Sequence, residues 1–160
     1  MLQLPMFPGW DGMHPLLIHF PLTLFFLAPV FALTAACSRA ATRRAFLIST
    51  LMLMLFGTIS TYVAFEAGEA AATSDLRKEA LTIIERHREL AELTRSSLTV
   101  ATLLFGLTLA ICSFLHLRVR EVTGVLPLGA AVFYILGLFW LIDAAYQGER
   151  LVHQFGVGML

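Results

Sequence analysis

Five histidines are the side chains of this 160-residue chain best suited to chemistry. An imidazole can bind a metal or haem iron through one ring nitrogen while the other donates a hydrogen bond. Four of them lie at the ends of apolar segments or in polar connections that the predicted topology places on one side of a membrane: His14, His19, His87 and His153. His116 falls on the opposite side. This distribution predicts a histidine-rich site at one membrane surface.

The elements that must position these histidines are predicted to be transmembrane helices. The chain is 58% hydrophobic and only 14% charged. Four apolar stretches without Asp, Glu, Lys or Arg are each long enough to cross a bilayer, which takes about 20 helical residues: about 15–36, 45–65, 97–117 and 124–142. Lipid offers the backbone no hydrogen-bond partner, so such stretches form helices. We predict one all-α domain over residues 1–160, a polytopic membrane protein with a four-transmembrane-helix bundle.

Basic residues set the predicted orientation. The connection between the first two spans contains Arg39, Arg43 and Arg44, and that between the last two contains Arg118 and Arg120. Short basic connections face the cytoplasm under the positive-inside rule. No basic residue precedes the first span, which argues against a cleaved signal peptide. We therefore expect a multi-pass protein of the bacterial inner membrane with both termini outside.

Between the second and third spans, residues 74–95 are predicted to form an amphipathic outer helix. Ser74 or Asp75 can cap its N-terminus, and no Gly or Pro interrupts it. A rotation of about 100° per residue places eight residues on one face: Leu76, Ala80, Ile83, Ile84, His87, Leu90, Ala91 and Thr94. His87 lies near the centre of this face, so we expect it to pack against the bundle. The pattern leaves open whether the helix lies in the interface or continues into the third span.

The N-terminal segment carries two of the histidines beside prolines. His14 precedes Pro15, which is well suited to a first helical turn, and Pro21 removes another backbone donor nearby. His19 lies a little over one turn inside, about 6 Å below the first turn at a rise of about 1.5 Å per residue. A loosened first turn with two imidazoles is a plausible platform for a ligand. Alternatively, both histidines are interfacial side chains with an apolar body and a polar tip.

Two motifs point to a known family. Residues 14–21 read HPLLIHFP, which resembles the His-Pro-x-x-x-His-Phe-Pro opening of a bacterial membrane-protein family called domain of unknown function 2231. Residues 148–158, GERLVHQFGVG, look like that family's closing motif, and the span layout agrees. In the family pattern a histidine commonly precedes the closing glycine, where this chain has Phe155, with His153 two residues earlier. The resemblance implies the architecture and, because members sometimes occur beside redox modules, favours a redox role.

The first functional hypothesis is b-type haem ligation in an electron-transfer subunit. Two imidazoles from different helices would bind iron from opposite faces of the porphyrin inside an apolar bundle. His19 is the preferred first ligand because it is deepest, and His87 is the preferred second because its face points toward the bundle. His14 and His153 are alternative ligands or partners of the propionates. Asp143 and Gln147 are candidates for hydrogen bonding to a ligating histidine.

Two other hypotheses stay open. The protein could bind or handle copper or another transition metal, since imidazole suits Cu, Zn and Fe and the thioethers of Met6, Met13 and Met159 favour Cu(I). It could also be a non-catalytic structural or assembly subunit whose histidines only form hydrogen bonds at the interface. The expected partners are the lipid bilayer and, depending on the hypothesis, a redox partner, other membrane subunits or a second copy of the chain.

Several classes of function are disfavoured. The formal net charge is zero, so nothing indicates nucleic-acid binding. No catalytic constellation points to an enzyme. No span has an ionisable residue near mid-membrane, which argues against an ordinary secondary transporter. Spans one and three show no clear internal repeat of spans two and four.

Overall fold

The part of the chain that the structure describes contains five α-helices. The computed structural model describes residues 9–71, 78–115 and 125–155. After a 3-10 turn at Trp10–Gly12 the helices are, in chain order, α1 (His14–Leu17), α2 (His19–Cys37), α3 (Ala40–Ala71), α4 (Lys78–Phe114) and α5 (Val125–Phe155). Within these described ranges, four helical segments are long and apolar enough to cross a membrane: His14–Cys37, Thr42–Ala71, Ala80–Phe114 and Leu128–Phe155. The prediction of an all-α, four-helix membrane protein is confirmed.

The helices extend beyond the predicted apolar spans. The amphipathic segment and the third span are one continuous helix, α4, which answers the question that the sequence pattern left open. In the same way α5 continues past residue 142 to Phe155. An apolar stretch marks only the part of a helix that lipid surrounds. The polar turns beyond it form the same helical hydrogen bonds between backbone N–H and C=O groups, so the helix can continue. Ser74, Asp75 and His116 lie outside the described residues.

The bundle consists of two helical hairpins, α2–α3 and α4–α5. Both α2 and α4 start at the end of the bundle that contains His14, so the hairpins have the same direction. The four buried residues of α2 each correspond to a buried residue of α4 that lies 73 positions later: Pro21 and Thr94, Phe25 and Leu98, Ala28 and Ala101, Ala35 and Thr108. Hence α2 and α4 present matching faces to the core.

The second helices of the two hairpins match in the same way. The pattern Gly-x6-Ala-x3-Gly occurs at Gly57, Ala64 and Gly68 of α3 and recurs 80 positions later in α5. The first glycine of each set admits the large core side chain of its own hairpin: a Cβ on Gly57 would lie 3.0 Å from the Phe25 ring. Residues thus correspond between spans one and three and between spans two and four. The sequence shows no clear repeat when spans one and three are compared with spans two and four, which is a different pairing.

Phe25 and Tyr134 join the two hairpins at the core. Phe25 is fully buried and belongs to a cluster with Ala28, Met54 and Leu98, against which Tyr134 packs. Pro29 has no N–H, so the carbonyl of Phe25 lacks its usual helical donor. The Tyr134 hydroxyl donates a hydrogen bond to that carbonyl. A polar group that proline leaves unpaired inside the bundle is thereby satisfied across the hairpin interface.

Candidate functional site

His14 is held against the first hairpin by the backbone of α3. It begins α1, with Pro15 behind it in the first turn, where the missing N–H of proline costs no helical hydrogen bond. Its Nδ1 lies 2.7 Å from the carbonyl oxygen of Ala64. One turn along α3, a Cβ on Gly68 would lie 2.9 Å from Cε1 of the His14 ring. The absence of a side chain at Gly68 therefore lets the imidazole approach the helix backbone.

His87 is held in the same way against the second hairpin. Its Nδ1 lies 2.8 Å from the carbonyl oxygen of Ala144 on α5, and a Cβ on Gly148 would lie 3.3 Å from its Cε1. His87 follows His14 by 73 positions, and both Ala144 and Gly148 follow their α3 counterparts by 80. The two histidines are therefore equivalent positions of the two hairpins. The apolar face of α4 packs against the bundle, with Ala80, Leu90 and Thr94 buried.

The two imidazoles meet at the His14 end of the bundle. Their ring centroids are 6.1 Å apart and their planes are perpendicular, at 90°. A carbonyl oxygen only accepts hydrogen bonds, so in each neutral ring Nδ1 carries the proton and donates it. Each Nε2 then has its lone pair available for a metal centre. The arrangement thus offers two oriented nitrogen ligands from different helices.

A cavity adjoins both rings. It encloses about 110 Å³ and is partly open to the surface. Its lining is mainly apolar, with contributions from α1, α3, α4 and α5: Pro15, Phe65, Ala71, Ile84, Ala91, Leu151 and Val152, beside the two histidines and their glycines. The charged lining residues are Arg88 and Glu69, whose Nη2 and Oε2 atoms are 2.6 Å apart. Arg88 also lies 3.9 Å from Glu92.

None of the other predicted site residues lines this cavity. The exposed His19 has its Nδ1 2.7 Å from the carbonyl oxygen of Pro15 and lines a different surface depression, formed by residues of its own helix. His153 is exposed in the last turn of α5. Asp143 lies 3.8 Å from Arg86, and Gln147 accepts a hydrogen bond from Arg150. Asp143 and Gln147 were candidates for hydrogen bonding to a ligating histidine; the Nδ1 atoms of His14 and His87 bond the carbonyls of Ala64 and Ala144.

Sequence reasoning ranked His19 above His14 because His19 lies deeper along the chain. It did not use the signal that identifies the pair, which is the match between hairpins. The separation from His14 to Phe25 equals that from His87 to Leu98, and each histidine is seated on one Ala-x3-Gly turn. The position of a residue along one helix indicates how far its side chain is from the membrane surface. The equal spacing from each histidine to a core residue, Phe25 or Leu98, indicates that both histidines face the interior of the bundle.

Fold and site together define a multi-pass helical membrane protein with two imidazoles held at one end of its bundle. No group of three or more His, Cys, Asp or Glu side chains that could hold a metal ion occurs among the residues that the structure describes. Comparison with known proteins found no matching family model, no similar curated protein and no matching solved structure.

Proposed function

We propose that the protein is a b-type haem-binding subunit for electron transfer, with His14 and His87 as the two axial ligands. The observation that carries the proposal is the paired arrangement of the two rings, 6.1 Å apart and each oriented through Nδ1. Metal–imidazole nitrogen bonds are about 2 Å long, so two imidazoles on opposite sides of one metal have centroids about 6 Å apart. The spacing of the rings fits one metal centre between them.

The number of protein ligands favours haem over a conventional metal site. Structural and catalytic zinc sites use three or four protein ligands, whereas a six-coordinate haem needs only two because the porphyrin supplies the rest. Two histidines without a third ligand group in the described part of the chain match the haem requirement. Haem with both axial positions taken supplies one-electron transfer.

The residues of the chain would hold and orient this group. The Ala64 and Ala144 carbonyls fix the tautomer and the orientation of the two imidazoles. Gly68 and Gly148 leave room beside the rings. The apolar lining contributed by Phe65, Ile84 and other residues would contact the apolar faces of the porphyrin, whose burial favours binding.

A bare copper ion is the second candidate, and the size of the cavity favours it. The enclosed 110 Å³ is less than a porphyrin occupies. A single Cu(I) ion needs no such room and accepts two imidazole ligands. Met13 directly precedes His14 in the chain, while Met6 and Met159 lie outside the described residues. A structural role is the third outcome of the test below.

Optical and magnetic spectra of the protein purified in mild detergent test these proposals. With haem b we expect split α and β bands on reduction. The perpendicular rings predict a highly anisotropic low-spin ferric electron paramagnetic resonance signal, because perpendicular axial planes leave the iron orbitals nearly degenerate. A colourless preparation with one copper per chain would favour the second candidate. A colourless preparation from haem-replete cells, without stoichiometric copper, zinc or iron, would contradict both.

We further propose that the chain belongs to the family called domain of unknown function 2231 and lies in the bacterial inner membrane with the His14 end outside. The opening and closing motifs support the first proposal, and Arg39, Arg43 and Arg44 at the opposite end of the bundle support the second. Electrons would then be exchanged with a redox partner or with another membrane subunit at the outer face.

Reporter fusions test this orientation. A reporter that works only in the cytoplasm is expected to be active when it is fused after Arg44 or after Arg120, because both positions follow basic connections. A reporter after Glu79 is expected to be active only outside. Cytoplasmic activity after Glu79 would place the histidine pair on the inner face and contradict the proposed location.

A further inference from the structure

Arg95 of α4 is stacked on two aromatic rings of α3. Its guanidinium carbon lies 4.3 Å from the ring centroid of Phe65 and 4.9 Å from that of Tyr62. A guanidinium over an aromatic face is held by cation–π attraction, which leaves its five N–H donors at the edge of the plane. Within the described part of the chain, no hydrogen bond or ion pair uses those donors.

The carboxylates near Arg95 do not neutralise it. Glu92 lies one turn earlier on α4 and pairs with Arg88 at 3.9 Å. Glu66 follows Phe65 on α3 and is exposed. Arg86 and Arg88, in contrast, both form ion pairs with carboxylates. Arg95 is therefore a stacked cation whose N–H donors have no acceptor within the described part of the chain.

The length of the uncharged part of α4 gives the depth of Arg95. From Ser96 to Phe114 the helix contains no charged residue, which corresponds to about 28 Å at a rise of about 1.5 Å per residue. The hydrocarbon core of a bilayer is about 30 Å thick. On α3 the uncharged stretch ends at Phe65, immediately before Glu66. Arg95 therefore lies at the level of the lipid headgroups.

The hairpin scaffold does not require this cation. The position in α2 that corresponds to Arg95 is Leu22, and the positions in α5 that correspond to Tyr62 and Phe65 are Ile142 and Ala145. The equivalent positions of α2 and α5 therefore have neither an arginine nor aromatic rings. The stacked arginine is a feature of one side of the bundle, and its chemistry needs a separate explanation.

We propose that Arg95 binds the phosphate group of an anionic membrane lipid. The planar guanidinium matches phosphate oxygens in a two-point hydrogen-bonded arrangement, and stacking on Tyr62 and Phe65 fixes its plane before the ligand arrives. Its depth selects a lipid headgroup over a soluble phosphate. Arg95 and Tyr62 do not line the histidine cavity, whereas Phe65 lines the cavity and also stacks on Arg95, so the test changes Arg95 and Tyr62 and leaves Phe65 in place.

Native mass spectrometry of the full chain, stripped of lipid in mild detergent and titrated with phosphatidylglycerol, tests the proposal. Phosphatidylglycerol should bind more tightly than phosphatidylcholine, and Arg95→Gln should weaken its binding by about tenfold or more, since it removes charge-assisted hydrogen bonds to the phosphate. Arg95→Lys should fall between, because lysine keeps the charge and loses the planar donors. Tyr62→Leu should also weaken binding, because it removes one stacking surface.

Arg86→Gln is the matched control, since Arg86 already pairs with Glu89 at 3.2 Å and with Asp143 at 3.8 Å. It should leave phosphatidylglycerol binding unchanged. Unchanged binding in Arg95→Gln, or equal binding of the two lipids to the parent protein, would overturn the proposal. Displacement of the lipid by millimolar inorganic phosphate would overturn the lipid assignment. If Arg95→Gln does not fold, Arg95→Lys decides, and full retention of phosphatidylglycerol by that variant would count against the proposal.

Discussion

Replacing His14 with alanine is expected to abolish the reduced haem spectrum, while replacing His19 with alanine leaves it intact. Of these two histidines, His14 has its ring 6.1 Å from that of His87 and its Nδ1 on the carbonyl of Ala64 in α3. His19 is exposed, and its Nδ1 bonds the carbonyl of Pro15, four residues earlier in the chain. We expect His14→Ala and His87→Ala each to reduce the haem retained per chain by more than tenfold, since even a hydrogen-bond partner of a ligand is worth about 10–100-fold. The measurement is the reduced-minus-oxidised absorption of protein purified in detergent.

Two controls separate loss of a ligand from loss of the fold. His153→Ala, at another exposed histidine of the same end, should behave as the parent protein does. Circular dichroism of His14→Ala should keep the helical signal, because the buried cluster around Phe25 lies deeper in the bundle. Loss of the spectrum in His19→Ala together with its retention in His14→Ala would contradict the assignment of His14 as a ligand and would support His19 instead.

Truncating Leu98 to alanine is expected to have the largest effect on stability. Leu98 is completely buried between the hairpins, and the free energy of unfolding should fall by about 2–5 kcal/mol because a cavity remains. Leu103→Ala, on the same helix but 65% exposed, makes the same chemical change and should cost far less. Thermal unfolding followed by circular dichroism in detergent compares the two.

A second substitution tests why Leu98 fits. A Cβ on Gly137 would lie 2.6 Å from both Cγ and Cδ2 of Leu98, so Gly137→Ala alone should destabilise the protein by about 1–3 kcal/mol. In the Leu98→Ala background the same methyl group has room and should stabilise it. Gly106→Ala, whose Cβ would lie at an ordinary 3.5 Å from Leu51, should be nearly silent. Additive effects of Leu98→Ala and Gly137→Ala would show that the two positions do not contact each other as described.

The apolar pattern was sufficient to predict the four helices, because hydropathy reports directly on what lipid can surround. It was not sufficient to predict where they end. Residues beyond 142 are too polar to be part of an apolar span, yet α5 continues to Phe155. Helix length outside the membrane depends on backbone hydrogen bonds and on neighbours such as His87, which contacts the Ala144 carbonyl two residues past the predicted end of the span.

The sequence by itself determined that four histidines belong to one end of the bundle and that His87 lies on the apolar face of its helix. Both follow from alternation of the spans and from the helical repeat, which are local or one-dimensional properties. Only the tertiary structure decided that His14, and not His19, meets His87. Helical periodicity fixes which side chains share a face but not which faces come together. In this protein the pairing of faces depends on the close packing of the two helices of each hairpin, with Phe25 against Gly57 and Leu98 against Gly137. This packing brings equivalent positions of the two hairpins together across the bundle.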